Sequence, residues 1–271
     1  MSIVVAPARV GRLGGRDGTR RSMRIVERNL RAYRRMWLPL ATGIVEPVLF
    51  LLSIGIGVGE LVGDLPGPGG DPISYRQFVA PGMMAMAAMN GAIFDTTYNF
   101  FVKFKYSHTY DGMLATPLGV NDVARGEVTW ALLRGAFYAA CFVVAMLLFG
   151  LVESWWALLA VPVSLLIGFA FAGAGLGATT YLRSFVDFDF ITLAIMPLFL
   201  FSATFFPLDR YPRWLELVVQ GTPLYQGVEL SRAVILGDVH IGLLWHALYL
   251  VVMGTIGLRI AAARLAKLLQ P

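Results

Sequence analysis

The sequence has 271 residues, of which 57% are hydrophobic and only 14% charged; its mean hydropathy is +0.68. A soluble domain carries about a quarter charged residues, so this composition excludes an ordinary soluble enzyme and points to a single polytopic membrane domain. The net charge of +5 is no sign of nucleic-acid binding, because ten of the 22 basic residues crowd into the first 35 positions. The lone cysteine, Cys141, excludes an intrachain disulfide, and three scattered histidines give no metal-ligand spacing.

Residues 1–21 are expected to be a disordered basic segment. They lack the apolar core of a cleavable signal peptide. Within 22–37, Met23, Val26, Leu30, Tyr33 and Trp37 recur at spacings of 3 and 4, one face of a helix. Arg24, Arg28, Arg31, Arg34 and Arg35 populate the rest. This pattern predicts an amphipathic helix lying on an anionic inner leaflet; a basic topology signal without fixed helicity is the plainer alternative. From residue 22 onward the chain reads as one transmembrane domain.

Six membrane helices are expected, over 37–62, 78–102, 123–151, 155–182, 185–206 and 241–263. Their apolar runs do not alternate as barrel strands do, and a helix satisfies its own backbone hydrogen bonds in lipid. The N-terminal segment, second and fourth loops and C-terminal tail, with adjoining span ends, hold 17 of the 22 basic residues. By the positive-inside rule both termini are then cytoplasmic. Between 206 and 241, "PRWLELVVQ" and "TPLYQGVELSRAVIL" are each apolar on one side and too short to cross. Thr222 followed by Pro223 is an N-cap and first-turn pair. Two short re-entrant helices fit, provided protein covers them; a surface-lying hairpin fits the periodicity equally.

The chain resembles the permease subunits of ABC-2-type ATP-binding-cassette exporters, especially the branch of nodulation-factor (lipo-oligosaccharide) exporter permeases, with relatives in daunorubicin-type drug efflux. The resemblance rests on five segments in order: "EPVLFLLSIGIGVG" (46–59), "PGMMAMAAMNGAIFDTTY" (81–98), "TYDGMLATPL" (109–118), "FSATFFPLDRYPRWL" (201–215) and "PLYQGVELSRA" (223–233). It implies a bacterial plasma-membrane protein that pairs with a second permease, identical or related, and with two separate ATPase subunits. ATP and Mg would be bound by those partners, since this sequence has no GxxxxGK[ST] phosphate loop. The implied cargo is amphipathic, a lipid-linked saccharide or glycolipid, with drug efflux as the alternative.

The resemblance also implies that 106–118 contains a coupling helix that sits in a cleft of the ATPase, with Tyr110, Asp111, Gly112, Met113, Leu114, Thr116 and Pro117 as its working residues. Pro117 biases Thr116 away from helix and ends the segment sharply. Without the resemblance, a partnerless cytoplasmic turn explains the residues as well.

Charges inside spans are rare and face protein or water. Glu46, Asp95, Glu127 and Arg134 qualify here. Glu46 precedes Pro47, where a kink is expected, and Glu127 and Arg134 lie two helical turns apart on one face. A polar path or gate and structural ion pairing, such as Asp95 or Glu46 with Arg134, both remain open. Tyr98, Phe201 and Phe205 are placed to stack on sugar rings or hold lipid tails; an aromatic belt facing lipid is the alternative. Gly173 and Gly177 suit close helix packing, within the subunit rather than between subunits. An intramembrane enzyme is disfavoured by the absence of HExxH and GxSxG, and a passive channel or scaffold is the rival that works without ATPase.

Overall fold

The computed structural model describes residues 16–33, 45, 48–49, 51–55, 57–67, 71–107 and 109–269. The chain is mostly helical. Helix α1 (Arg16–Tyr33) starts inside the stretch expected to be disordered. Its buried residues are Ser22, Ile25, Val26 and Asn29, whereas Met23 and Leu30 are exposed. Of the apolar stripe read from periodicity, the described side chains are Met23, Val26 and Leu30, and among these only Val26 is buried. A Cβ on Gly126 would stand 2.8 Å from the Ile25 Cβ, so the glycine lets α1 seat Ile25 there. Arg34, Arg35, Trp37, Glu46 and Pro47 lie outside the described residues.

The described end of the first expected span closes with α2 (Gly59–Val62). The Gly/Pro-rich loop after it forms a small antiparallel hairpin, β1 (Asp64–Pro66) with β2 (Pro72–Ser74), in which Leu65 pairs with Ile73. Helix α3 (Tyr75–Phe94) opens with a capping box in which the Ser74 side chain accepts from the Gln77 N–H and Gln77 accepts from the Ser74 N–H at 2.8 Å. It runs on through two π-helical stretches, Asp95–Asn99 and Val102–Tyr106. The short α4 (Thr109–Leu114) leads to α5 (Val120–Leu148), whose first turn is tied by the Gly119 N–H donating to Asp122 Oδ2 at 3.0 Å. A 3₁₀ turn, Trp155–Leu159, feeds α6 (Ala160–Thr179). Then come α7 (Phe188–Leu200), α8 (Arg213–Gly221), α9 (Pro223–Leu236) and α10 (Leu243–Leu269).

Three described helices are long and apolar enough to cross a membrane: Asn121–Leu148, Trp155–Thr179 and Leu243–Leu268. They correspond to the third, fourth and sixth expected spans. The second, 78–102, is helical throughout. The fifth falls short: α7 has 13 residues, about 20 Å of helix against a hydrocarbon core of about 30 Å. The helix ends one turn after Pro197, where the Phe201 N–H donates to the Pro197 carbonyl at 2.8 Å. Ala203 then takes a left-handed φ of 54°, and Ser202, Ala203 and Thr204 turn inward and are buried.

Helix α6 is the central element, packed on α3, α5, α9 and α10. Its contact with α10 is backbone against backbone. A Cβ on Gly257 would lie 2.5 Å from the Ala174 nitrogen, and one on Gly173 would collide with Gly254, whose Cα is 3.0 Å away. The glycines thus pack within the subunit. Helix α9 keeps the predicted Thr222 cap and Pro223 first turn. It is buried at Leu224, Val228, Ser231 and Ile235, covered by α3, α6 and α10, while α8 leaves Trp214, Leu217 and Val218 exposed.

Candidate functional site

The segment between α3 and α5 is compact, for local reasons. Thr116 turns back on α4, with its N–H and Oγ1 both donating to the Met113 carbonyl, at 3.0 and 2.5 Å. Pro117 follows and cannot continue the helix. Gly112, Thr116 and Pro117 are exposed, and Met113 is half-buried against the core. The side chains of Asp111 and Leu114 lie outside those described.

Tyr110 points the other way. It is 1% exposed, with its ring 4.9 Å from that of Phe100. Burial, and after it the neighbouring Glu127 carboxylate, push the Tyr110 hydroxyl well above its ordinary pKa, so it stays neutral. Among the working residues expected here whose side chains are described, Tyr110 is an inward anchor and Gly112, Thr116 and Pro117 are exposed.

Above this anchor a column of charge joins spans two and three. Glu127, 4% exposed, accepts from Lys103 Nζ at 2.7 Å and from Asn29 Nδ2 of α1 at 3.3 Å, both on Oε2. Farther along, Arg134 pairs with Asp95 at 2.5 Å, and Asn99 donates to the same Asp95 oxygen at 2.7 Å. The polarity is crossed: span two contributes the acid of one pair and the base of the other. Eight residues of regular α-helix overshoot two turns by about 80°. The wider π turns rotate the chain less per residue, which lets Asp95 and Lys103 both face α5. The Arg134 guanidinium also lies 5.7 Å from the Tyr138 ring centroid. Helix α6 closes the back, where Thr179 Oγ1 donates to the Thr96 carbonyl at 2.9 Å.

The structure therefore joins Asp95 to Arg134, and it adds Asn29 and Lys103, which sequence reasoning had not singled out. The aromatic candidates fall into two groups. Tyr98, 43% exposed, belongs to a ring cluster with Phe94, Phe185 and Phe188 at centroid distances of 5.3, 6.1 and 5.9 Å. Phe205 packs on Phe199 at 5.2 Å, and its carbonyl accepts from the Tyr75 hydroxyl at 3.3 Å. Phe201 lies 6.4 Å from Tyr211. Tyr75 and Tyr98 stand at opposite ends of one helical stretch about 35 Å long, so these rings make no common site. Arg232, also unremarked in the sequence, holds the bent segment: it donates to the Ala203 carbonyl at 2.7 Å and lies over the Phe78 ring at 4.1 Å.

Comparison with known proteins adds a family to this geometry. The profile described as ABC-2 type transporter matches residues 22–236. The chain is 34% identical to nodulation protein J of Rhizobium leguminosarum bv. trifolii over 213 residues, which cover 78% of this chain and 79% of the relative. It is 31% identical to nodulation protein J of Rhizobium meliloti (strain 1021), over 80% of this chain and 82% of that one. It is also 25% identical to the inner membrane transport permease YadH of Escherichia coli (strain K12), over 68% and 71%. A match spanning most of the sequence, on a membrane-embedded helical fold, means that the chain belongs to the ABC-2 type transporter family.

Proposed function

We propose that the chain is the membrane subunit of an ATP-driven exporter, working with a second permease copy or a related permease and with two separate ATPase chains. The observation that carries this reading is the α4 turn. It is short, ended by Pro117, exposed at Gly112, Thr116 and Pro117, and anchored inward through Tyr110. A segment built this way presents a stiff surface to a partner and transmits its displacement. The exposed basic residues of α1, Arg24, Arg28 and Arg31, suit an anionic inner leaflet.

The cargo we favour is an amphipathic lipid-linked saccharide or glycolipid, in keeping with the nodulation protein relatives, and the setting is a bacterial plasma membrane with both termini cytoplasmic. In this scheme ATP closes the ATPase pair, the α4 turns move, and the spans open a route outward. Asp95 and Arg134 serve as an ion pair between spans rather than as a free polar lining, and α9 is a re-entrant helix covered by protein. A mild-detergent pull-down of the tagged chain from its native membrane tests the reading. Recovery of a chain with a phosphate loop supports it, and a folded permease that comes down without any ATPase favours a passive channel or scaffold.

A further inference from the structure

We infer that Glu127 and Tyr110 form the joint through which displacement of the coupling segment reaches span three, a pair of positioning residues for transport; the inference rests on the functional reading above. Helix α4 has six residues, too few to be stable alone, so what it moves depends on what it is fastened to. One carboxylate gathers four elements. Glu127 of α5 holds Lys103 at the end of span two and Asn29 of α1, and it lies beside the Tyr110 hydroxyl of α4. Arg28 of α1 also acts on that hydroxyl. The two structures that face the inner leaflet and the cytosol, α1 and α4, therefore converge on a single side chain of span three.

The Tyr110 hydroxyl and the Glu127 carboxylate are both buried, and the carboxylate bears on the hydroxyl by its charge and as a hydrogen-bond partner, in a contact outside ordinary hydrogen-bond geometry. A buried hydroxyl that faces a carboxylate ties α4 to α5, because parting the two would leave both polar groups without that partner. Gly126, next to Glu127, admits Ile25 at close range and keeps α1 seated on the same turn of α5.

The test uses the permease with the ATPase that co-purifies with it, in lipid nanodiscs, one labelled copy per complex. Spin labels replace the exposed Ala115, Leu148 and Leu268 in pairs, in a C141S background. In the wild-type sequence, ATP with vanadate should leave the 115–148 distance unchanged and shift the 148–268 distance, because α4 and α5 move together. In Tyr110→Phe, which keeps the ring on Phe100 and removes the hydroxyl that faces Glu127, the pattern should invert: α4 slips and 115–148 shifts while 148–268 does not. Glu127→Gln should behave likewise, because it removes the carboxylate that holds Lys103 and Asn29 and faces Tyr110. Folded Y110F and E127Q variants with wild-type distance changes would overturn the joint and leave the exporter reading intact. No recoverable ATPase and no nucleotide response in the wild type would overturn both.

Discussion

Replacing Gly257 with alanine adds one methyl group where α10 meets α6. That methyl would lie 2.5 Å from the Ala174 nitrogen, whereas carbon contacts settle at about 3.5–4.0 Å. The obstruction is backbone, so no rotamer change relieves it, and the two helices must part by about 1 Å. Overpacking of this kind costs about 1–3 kcal/mol. At 2–4 °C per kcal/mol for a chain of this class, the melting temperature should fall by about 2–12 °C. Gly135 on α5 provides the control, since a Cβ there meets nothing within 4 Å. There alanine brings only its better helix propensity, about 0.8–1.0 kcal/mol, and G135A should melt at or above the parent. Both are read by fluorescence-detected size-exclusion melts of tagged protein in mild detergent. If G257A melts no lower than G135A, the close α6–α10 crossing is not present in the protein as it folds.

Three further outcomes are expected. Asp95→Asn removes the acid of the buried Asp95–Arg134 pair while the guanidinium stays buried, a loss of up to about 3–5 kcal/mol, whereas Asp95→Leu with Arg134→Met should recover part of it; thermal melts that rank the single variant above the double would contradict the pairing. Alanine at Asp111, Met113 and Leu114 together should separate ATP hydrolysis from transport in a complex that still assembles, and unchanged transport would remove the coupling role. A cysteine at Ala115 should resist an impermeant maleimide added to intact cells while one at Gly67 reacts, and the reverse pattern would invert the topology.

The readable parts of this protein were the local ones. Hydropathy located the helices of α5, α6 and α10, the Thr222–Pro223 start of α9 is a chemical signature of a few residues, and small-residue spacing pointed to Gly173 and Gly177. Partners in other elements left no such trace. Asp95 and Arg134 stood out as charges in apolar runs, but Lys103, at the end of such a run, and Asn29, among charged neighbours, gain meaning only when Glu127 lies opposite them. The stripe Met23, Val26, Leu30 is a sound helical face, yet the glycine at 126 favours the neighbouring face through Ile25. The segment Phe201–Phe206 is as apolar as a span. It bends because Ala203 adopts a left-handed φ of 54° that Arg232, 29 residues later, holds by its carbonyl. No periodicity within the segment announces a bend imposed by another helix.

The crossed ion pairs also bear on how the protein enters its membrane. A carboxylate or guanidinium at the centre of an isolated span opposes insertion by about 2.5–3.5 kcal/mol on translocon scales. Asp95 and Arg134 each carry that penalty alone and shed most of it together, and Lys103 with Glu127 repeats the arrangement nearer α4. The lowest free-energy route is for spans two and three to partition as a pre-paired hairpin bent at α4, so that span two completes its insertion only together with span three.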